Sequence, residues 1–342
     1  MSTTPLKLVG GHGSPYSRKM RALLRYRRIP FRWILRGSTQ DVAIPEVPVA
    51  LIPVLVFPGE GAAGDEAMID STPQIRRLEE RSRERSVIHP DPAVAFLDAL
   101  IEDYADEWLT KAMFHYRWAY EPDVHKASRV LPLDRDLSCS DAVLERLAQR
   151  FAERQVGRLA VVGSNQTTKP VIEQSYQRLL ALLDAHLQLR PFLMGARPGA
   201  SDFALFGQLS QLALFDPTSR AIAERQAPRV IAWLQHVEDL GDLEVSEADW
   251  TARQALGPSL HALLSELGRV YVPFLLANAA ALERGEKQVE CRIDGRPWVQ
   301  RSFPYQAKCL GWLREGRAAL SPEDRAAADR MLEGTGCEAL FA

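Results

Sequence analysis

Cysteine is sparse in this 342-residue chain: Cys139, Cys291, Cys309 and Cys337 all lie beyond residue 138 and form no C-x-x-C or zinc-type spacing. The seven histidines are scattered, with no pair at helical i, i+4 spacing, so no metal site is read from them. No window reaches the 18 apolar residues of a membrane span, and the N-terminus has no apolar signal core. A net charge of −2 gives no overall bias toward nucleic acid or a membrane surface. Internal repeats and low-complexity tracts are absent too. These absences lead us to expect a protein of the reducing cytoplasm with no metal, nucleic-acid or membrane partner.

What is present is an ordinary globular composition, 46% hydrophobic and 25% charged, long enough for two or three domains. Residues 1–92 carry 14 Lys/Arg against 10 Asp/Glu and the remainder carries 28 against 34, a tilt that suits a small anionic ligand near the N-terminus or simply solvated helix faces. The first ninety residues alternate strand and helix. Strands are expected at 6–10, 31–35, 51–58 and 67–69, and helices at 15–28 and 71–84, with "EGAAGDEA" (60–67) as turn chemistry. Ser71 stands as the N-cap of the second helix, with Pro73 in its first turn. "SVIHPDP" (86–92) reads as a linker. After it come helices over about 93–118, 140–158, 170–188, 200–214 and 227–240, then two helical stretches within 246–283. "QVECRIDGRPWVQRS" (288–302) alternates around Asp294-Gly295 as a β-hairpin, and helices near 304–316 and 321–333 close the chain.

Three short pieces carry the chemistry. "GSPYS" (13–17) sits between strand and helix, so the Ser14 hydroxyl stands near unpaired helix N–H groups that favour anions. Ile52-Pro53 opens a strand, where a cis peptide would turn backbone groups toward the same place. Asp70-Ser71 begins the last helix of the domain and offers a carboxylate to an ammonium, beside N–H groups for a carboxylate. In this order and spacing the pieces resemble the glutathione-binding, thioredoxin-like domain of the glutathione S-transferases, most closely the classes whose helix begins S-P-[FY] or C-P-[FY]. "SRKMRALLRYRRIPF" (17–31) is similar to their first helix and its exit. "RPFLMGARPGASDFALFGQLSQL" (190–212) and "APRVIAWLQHV" (227–237) resemble their all-α domain. The likeness covers roughly residues 5–240; residues 245–342 match nothing in a standard transferase.

The resemblance implies a thioredoxin-like βαβ-ββα domain over 1–85, a linker at 86–92, an all-α domain over 93–244 and a mostly helical extension with one hairpin over 245–342. It implies glutathione as co-substrate, with the γ-glutamyl end at Asp70 and Ser71 and the cysteinyl backbone paired with Ile52 ahead of a cis-Pro53. The Ser14 hydroxyl would be the catalytic donor to the sulfur. A cysteine thiol titrates near ~8.5, so little thiolate exists at neutral pH. A charge-assisted hydrogen bond of about 1.5–3 kcal/mol corresponds to one or two pKa units, enough to make thiolate the major form. Ser17 is the competing hydroxyl. Arg18 is close enough to the helix start to meet an anion, and Arg36 could meet the glycyl carboxylate. Trp108, His115, Tyr116 and Trp118 fall on the helix that lines the electrophile pocket in transferases, although a buried core face explains Trp108 better.

Gly199 departs from the family pattern by standing where Ser or Thr usually precedes the buried Asp202 by three residues. Glycine is a tolerable N-cap, and Ser201 offers a local substitute. The resemblance implies a transferase that sends glutathione thiolate at a hydrophobic small molecule, and a homodimer. The alternatives are a glutathione-dependent lyase, isomerase or ether-cleaving enzyme with a narrow substrate, which a lid built from 245–342 would favour, and a non-catalytic transferase-like binding or scaffold protein.

Overall fold

The computed structural model describes residues 4–59 and 64–342; the turn expected at 60–63 lies outside them. Strand β1 (Leu6–Gly10) leads through a tight turn into α1 (Pro15–Tyr26), which begins at Pro15 with its fixed φ and buries Met20, Leu23 and Leu24. Then follow β2 (Phe31–Leu35), β3 (Val54–Phe57), β4 (Glu66–Ile69) and α2 (Ser71–Arg81). The sheet order is β2-β1-β3-β4: β2 is parallel to β1, β3 runs antiparallel to β1, and β4 antiparallel to β3. All four β3 residues are buried, as the continuous apolar run "VLVF" requires of an inner strand. This is the expected thioredoxin-like arrangement. The strand begins at Val54 rather than at residue 51, because Pro53 has no N–H to give to a ladder.

The all-α part is more broken than its apolar period suggests. The helix expected over 93–118 is α3 (Pro92–Tyr104), a π-helical turn at Ala105–Leu109 and α4 (Thr110–Ala119). Every residue of that turn is buried, including Asp106 and Glu107. Next come α5 (Glu121–Val130), a 3₁₀ turn at Leu131–Asp134, α6 (Asp141–Val156) and α7 (Lys169–His186). Then α8 (Ala200–Leu209) gives way to a second π-helical turn at Ser210–Phe215, followed by α9 (Pro217–Gln226) and α10 (Pro228–Val237). Helices α5 and α9 escaped the sequence reading. Each is short and has proline in its first turn, which marks a helix start as readily as a break.

Where two helical stretches were expected within 246–283 there is one, α11 (Pro258–Glu283), preceded by 3₁₀ turns at Glu247–Asp249 and Arg253–Ala255. Helix α11 is long and apolar enough to cross a membrane by composition, yet Leu263, Leu267, Val270, Tyr271 and Phe274 are buried in the protein core. Strands β5 (Gln288–Ile293) and β6 (Arg296–Arg301) form the hairpin. Its turn residues Asp294 and Gly295 have φ of 51° and 72°, the left-handed pair that a two-residue hairpin turn needs. Helices α12 (Pro304–Ala319) and α13 (Pro322–Leu332) follow. The extension shares its core with the all-α part. Trp298 of β6 lies 5.2 Å from Trp108, ring to ring, and Phe274 packs on both. Arg178 of α7 forks onto Glu266 of α11 at 2.7 and 2.8 Å and also reaches Asp294 at 3.0 Å.

Two buried polar contacts join these layers. Lys19 of α1 is wholly buried and gives its ammonium to Glu102 at 2.7 Å, Asp106 at 2.5 Å and Ser71 Oγ at 3.2 Å. Burial raises the Asp106 carboxyl while the Lys19 charge opposes that rise. At the start of α8, Asp98 of α3 supplies the acceptor that Gly199 lacks. Its carboxylate takes the Ala200 N–H at 3.0 Å and the Ser201 hydroxyl, while Asp202 takes the Gly199 N–H at 2.9 Å. A Cβ at position 199 would stand 2.6 Å from Asp98 Oδ1, so glycine leaves room for the substitute cap. Ser201 therefore does not cap α8 itself; it orients the residue that does.

Two outcomes follow for chemical denaturation monitored by circular dichroism. Gly199→Ser restores the family's usual residue yet lowers stability by about 1–3 kcal/mol, because the added atoms meet a fixed carboxylate. Lys19→Met leaves two buried carboxylates without their cation and costs about 3–5 kcal/mol.

Candidate functional site

The turn between β1 and α1 is held from several sides. Ser14 N–H donates to Gly11 O at 3.1 Å, and Ser14 Oγ accepts the Ser17 N–H at 3.2 Å, so Ser14 is the N-cap of α1. Its side chain is half-buried at the surface of the turn. Ser17 has no exposure, and its Oγ accepts the Gly11 N–H at 3.3 Å; a Cβ at Gly10 would lie 2.5 Å from that oxygen. The competing hydroxyl is thus enclosed as a brace of the turn. Arg117 of α4, also buried, donates to Gly13 O at 2.8 Å and forks onto Asp216 at 2.8 and 3.0 Å. Burial raises the Asp216 carboxyl, and the guanidinium pulls it back down.

Of the other expected site residues, Ile52 lies against this turn and Ser71 is joined to α1 through Lys19. Ile52-Pro53 is a cis peptide, and Pro53 O accepts from Gln74 Nε2 at 3.1 Å. The Ile52 side chain lies against Gly11, where a Cβ would be 3.5 Å from its Cδ1. Asp70, and not Ser71 as expected, caps α2, with a φ of 73° and its carboxylate accepting the Thr72 N–H at 3.4 Å; Ser71 is the first helical residue. Its second oxygen takes the hydroxyl of Tyr305 from α12. A carboxylate has about four acceptor positions, so room remains there for an ammonium. Ser71 is buried, with its hydroxyl oxygen taken by Lys19.

Beside the turn lies a cleft of about 360 Å³ lined by His12, Arg18, Val130, Leu131, Asp134, Ser210, Gln211, Leu214 and Phe215. Val130, Leu131, Leu214 and Phe215 form its apolar wall, and His12, Arg18, Asp134, Ser210 and Gln211 its polar one. Arg18 lines it but is ion-paired with Glu238, as is Arg21. Arg36 is exposed and faces Asp41 at 3.7 Å. The aromatic residues expected along the pocket lie elsewhere. Trp108 is 1% exposed and donates to Ser175 Oγ, while Tyr116, Trp118 and His115 are buried, His115 between Ser164 and Glu173. The first π-helical turn and helix α4 turn these side chains into the core; residues 130–134 and 210–215 line the cleft instead.

Sequence reasoning missed the side chains that reach the site from a distance: Arg117, Asp134 and Gln211 on the turn, and Tyr305 on Asp70. None carries a local signal, because each is more than ninety residues from its partner. His12 stands one residue before the stretch GSPYS, and nothing in the sequence pattern marks it, because its partner Asp134 lies far along the chain.

Comparison with known proteins matches this organisation. Residues 8–86 match the family model of the glutathione S-transferase N-terminal domain, and residues 133–236 match that of the C-terminal domain. No curated protein matches the chain. Among solved structures, a glutathione transferase family member from Pseudomonas fluorescens Pf-5, with two glutathione bound, is similar at 20% identity and a TM-score of 0.42, over 67% of this chain and 86% of that one. The Tau class glutathione S-transferase of mango, Mangifera indica, is 19% identical with a TM-score of 0.42, over 75% and 97%. A transferase from Burkholderia graminis, with two glutathione molecules per subunit, is 17% identical with a TM-score of 0.43, over 68% and 82%. The two domain matches together span more than half of the sequence and follow each other in the family's order, and the chain belongs to the glutathione S-transferase family.

Proposed function

We propose that this protein binds glutathione along Asp70-Ser71, Ile52-Pro53 and Ser14, ionises its thiol and delivers the thiolate to a hydrophobic electrophile in the adjacent cleft. The observation that carries this reading is the placement of the half-exposed Ser14 hydroxyl as N-cap of α1, in the chain between His12 and Arg18, which both line the cleft. Because Ser14 Oγ already accepts a backbone N–H, its own hydrogen is free to donate. A donor at the positive end of a helix lowers the free energy of an anion and not of a neutral thiol. Bound thiolate then attacks the electrophilic carbon; the C–S bond forms as the leaving group departs with its electron pair.

All the residues lining the cleft come from 12–18 and 130–215, none from 245–342. The extension meets the proposed glutathione strip instead, through Tyr305 on Asp70. That placement supports a role for the extension at the γ-glutamyl end rather than as a lid over the electrophile.

Millimolar glutathione raises the melting temperature of this protein in scanning fluorimetry, as a ligand of the folded state must. Ser14→Ala retains most of that shift but loses about one to two orders of magnitude in turnover of an activated aryl halide, the loss of one charge-assisted hydrogen bond. Absence of any shift contradicts the reading, and unchanged turnover in Ser14→Ala removes the serine from it.

A further inference from the structure

The thiol proton needs an acceptor, and the serine hydroxyl that would face the sulfur is not a base. One side chain in the cleft has the required chemistry. His12 precedes Ser14 by two residues and is doubly fixed by Asp134: one carboxylate oxygen takes the His12 backbone N–H at 2.9 Å, and the other lies 2.7 Å from Nδ1. A carboxylate accepts only, so the neutral ring carries its hydrogen on Nδ1 and presents Nε2 as a lone pair. Among the described residues Nε2 has no hydrogen-bond partner, and the side chain is 45% exposed where it lines the cleft. Its backbone carbonyl is held by Gln211 at 3.3 Å, and its ring rests against Trp33 at 5.8 Å between centroids.

The groups around His12 leave it as the proton acceptor of the cleft. On the 3₁₀ turn, Asp134 is engaged with His12 itself. On α1, Arg18 is ion-paired with Glu238, and the second π-helical turn lines the cleft with uncharged side chains, Ser210, Gln211, Leu214 and Phe215. On β2 the neighbour is Trp33, over whose ring the Arg21 guanidinium lies at 5.5 Å. A serine-nucleophile triad is not what this geometry builds: Ser14 Oγ is bonded to the Ser17 N–H, and no hydrogen bond joins it to His12.

We propose that His12, oriented by Asp134, takes the proton from the glutathione thiol at Nε2 and later returns it to the leaving group of the electrophile. This rests on the glutathione reading above. In the first step the S–H bond breaks and its electron pair stays on sulfur beside the Ser14 hydroxyl. The proton forms an N–H bond at Nε2, and the imidazolium is stabilised by the Asp134 carboxylate. In the second step sulfur bonds to the substrate carbon, the leaving group departs with the bond pair, and the Nε2 proton neutralises it. Serine and histidine therefore divide the work: one stabilises the anion, the other holds the proton.

The test uses the full-length protein and glutathione alone, at mildly alkaline pH. Thiolate is read by ultraviolet difference absorbance, and proton release by calorimetry in buffers of differing ionisation enthalpy. The native protein is expected to bind glutathione as thiolate while keeping the proton. His12→Gln binds glutathione with similar affinity but either forms at least about tenfold less thiolate or releases the thiol proton to the buffer. Asp134→Asn lies between the two. Three results overturn the role of His12: glutathione bound as thiol by the native protein, its proton released there to the buffer, or identical thiolate and proton balance in His12→Gln. Absence of binding heat in the native protein is a different failure, since it removes the glutathione reading and this proposal together.

Discussion

A fully buried lysine ammonium organises this molecule. Lys19 leaves α1 and reaches Ser71 at the head of α2, Glu102 on α3 and Asp106 in the first π-helical turn. Its burial would be prohibitive alone and is offset by two carboxylates and a hydroxyl. Because the same lysine touches the first and last helices of the sheet domain and the first helix of the all-α part, it fixes their mutual placement. The start of α1, where Ser14 stands, and the start of α2, where Asp70 and Ser71 stand, are thereby held at a set separation. The neighbouring constraint is steric. Helix α8 approaches α1 at Gly207, where a Cβ would lie 2.5 Å from Pro15 O, so the first turn of α1 sits directly on α8.

These constraints explain which parts of the molecule could be read from sequence. The sheet domain was legible because its signals are local: a capped helix start at Ser14-Pro15, an apolar run at Val54–Phe57 and a helix start at Asp70-Ser71, although the cap is Asp70 and not Ser71. The hairpin was legible through Asp294-Gly295, whose backbone angles few other pairs adopt. The all-α part was legible in kind but not in its breaks. A π-helical turn inserts into a helix without interrupting its apolar composition, so nothing in "ALIEDYADEWLTKAMF" marks the step at Ala105–Leu109.

The candidate site divides along the same line. Ser14, Ile52, Pro53, Asp70 and Ser71 sit within three local motifs, and the structure brings all three motifs to neighbouring edges of one domain. What closes the site comes from afar: Asp134 on His12, Arg117 on Gly13 and Tyr305 on Asp70. Such pairings are products of the fold, so no spacing in the chain announces them. The same holds for Gly199. It reads as a weakened capping motif until Asp98 is seen occupying the space its side chain would need. Residues 245–342, unplaceable from sequence, prove continuous with the main core through Trp298, Phe274 and Trp108, and they reach the proposed glutathione strip through α12.

The central claim is that one ligand joins the three motifs. A crystal structure of the complex with glutathione tests it most directly. The account predicts the sulfur within hydrogen-bond reach of Ser14 Oγ, the cysteinyl backbone alongside Ile52 and the γ-glutamyl ammonium at Asp70. A tripeptide bound elsewhere, or one whose sulfur lies beyond the reach of Ser14, would contradict it.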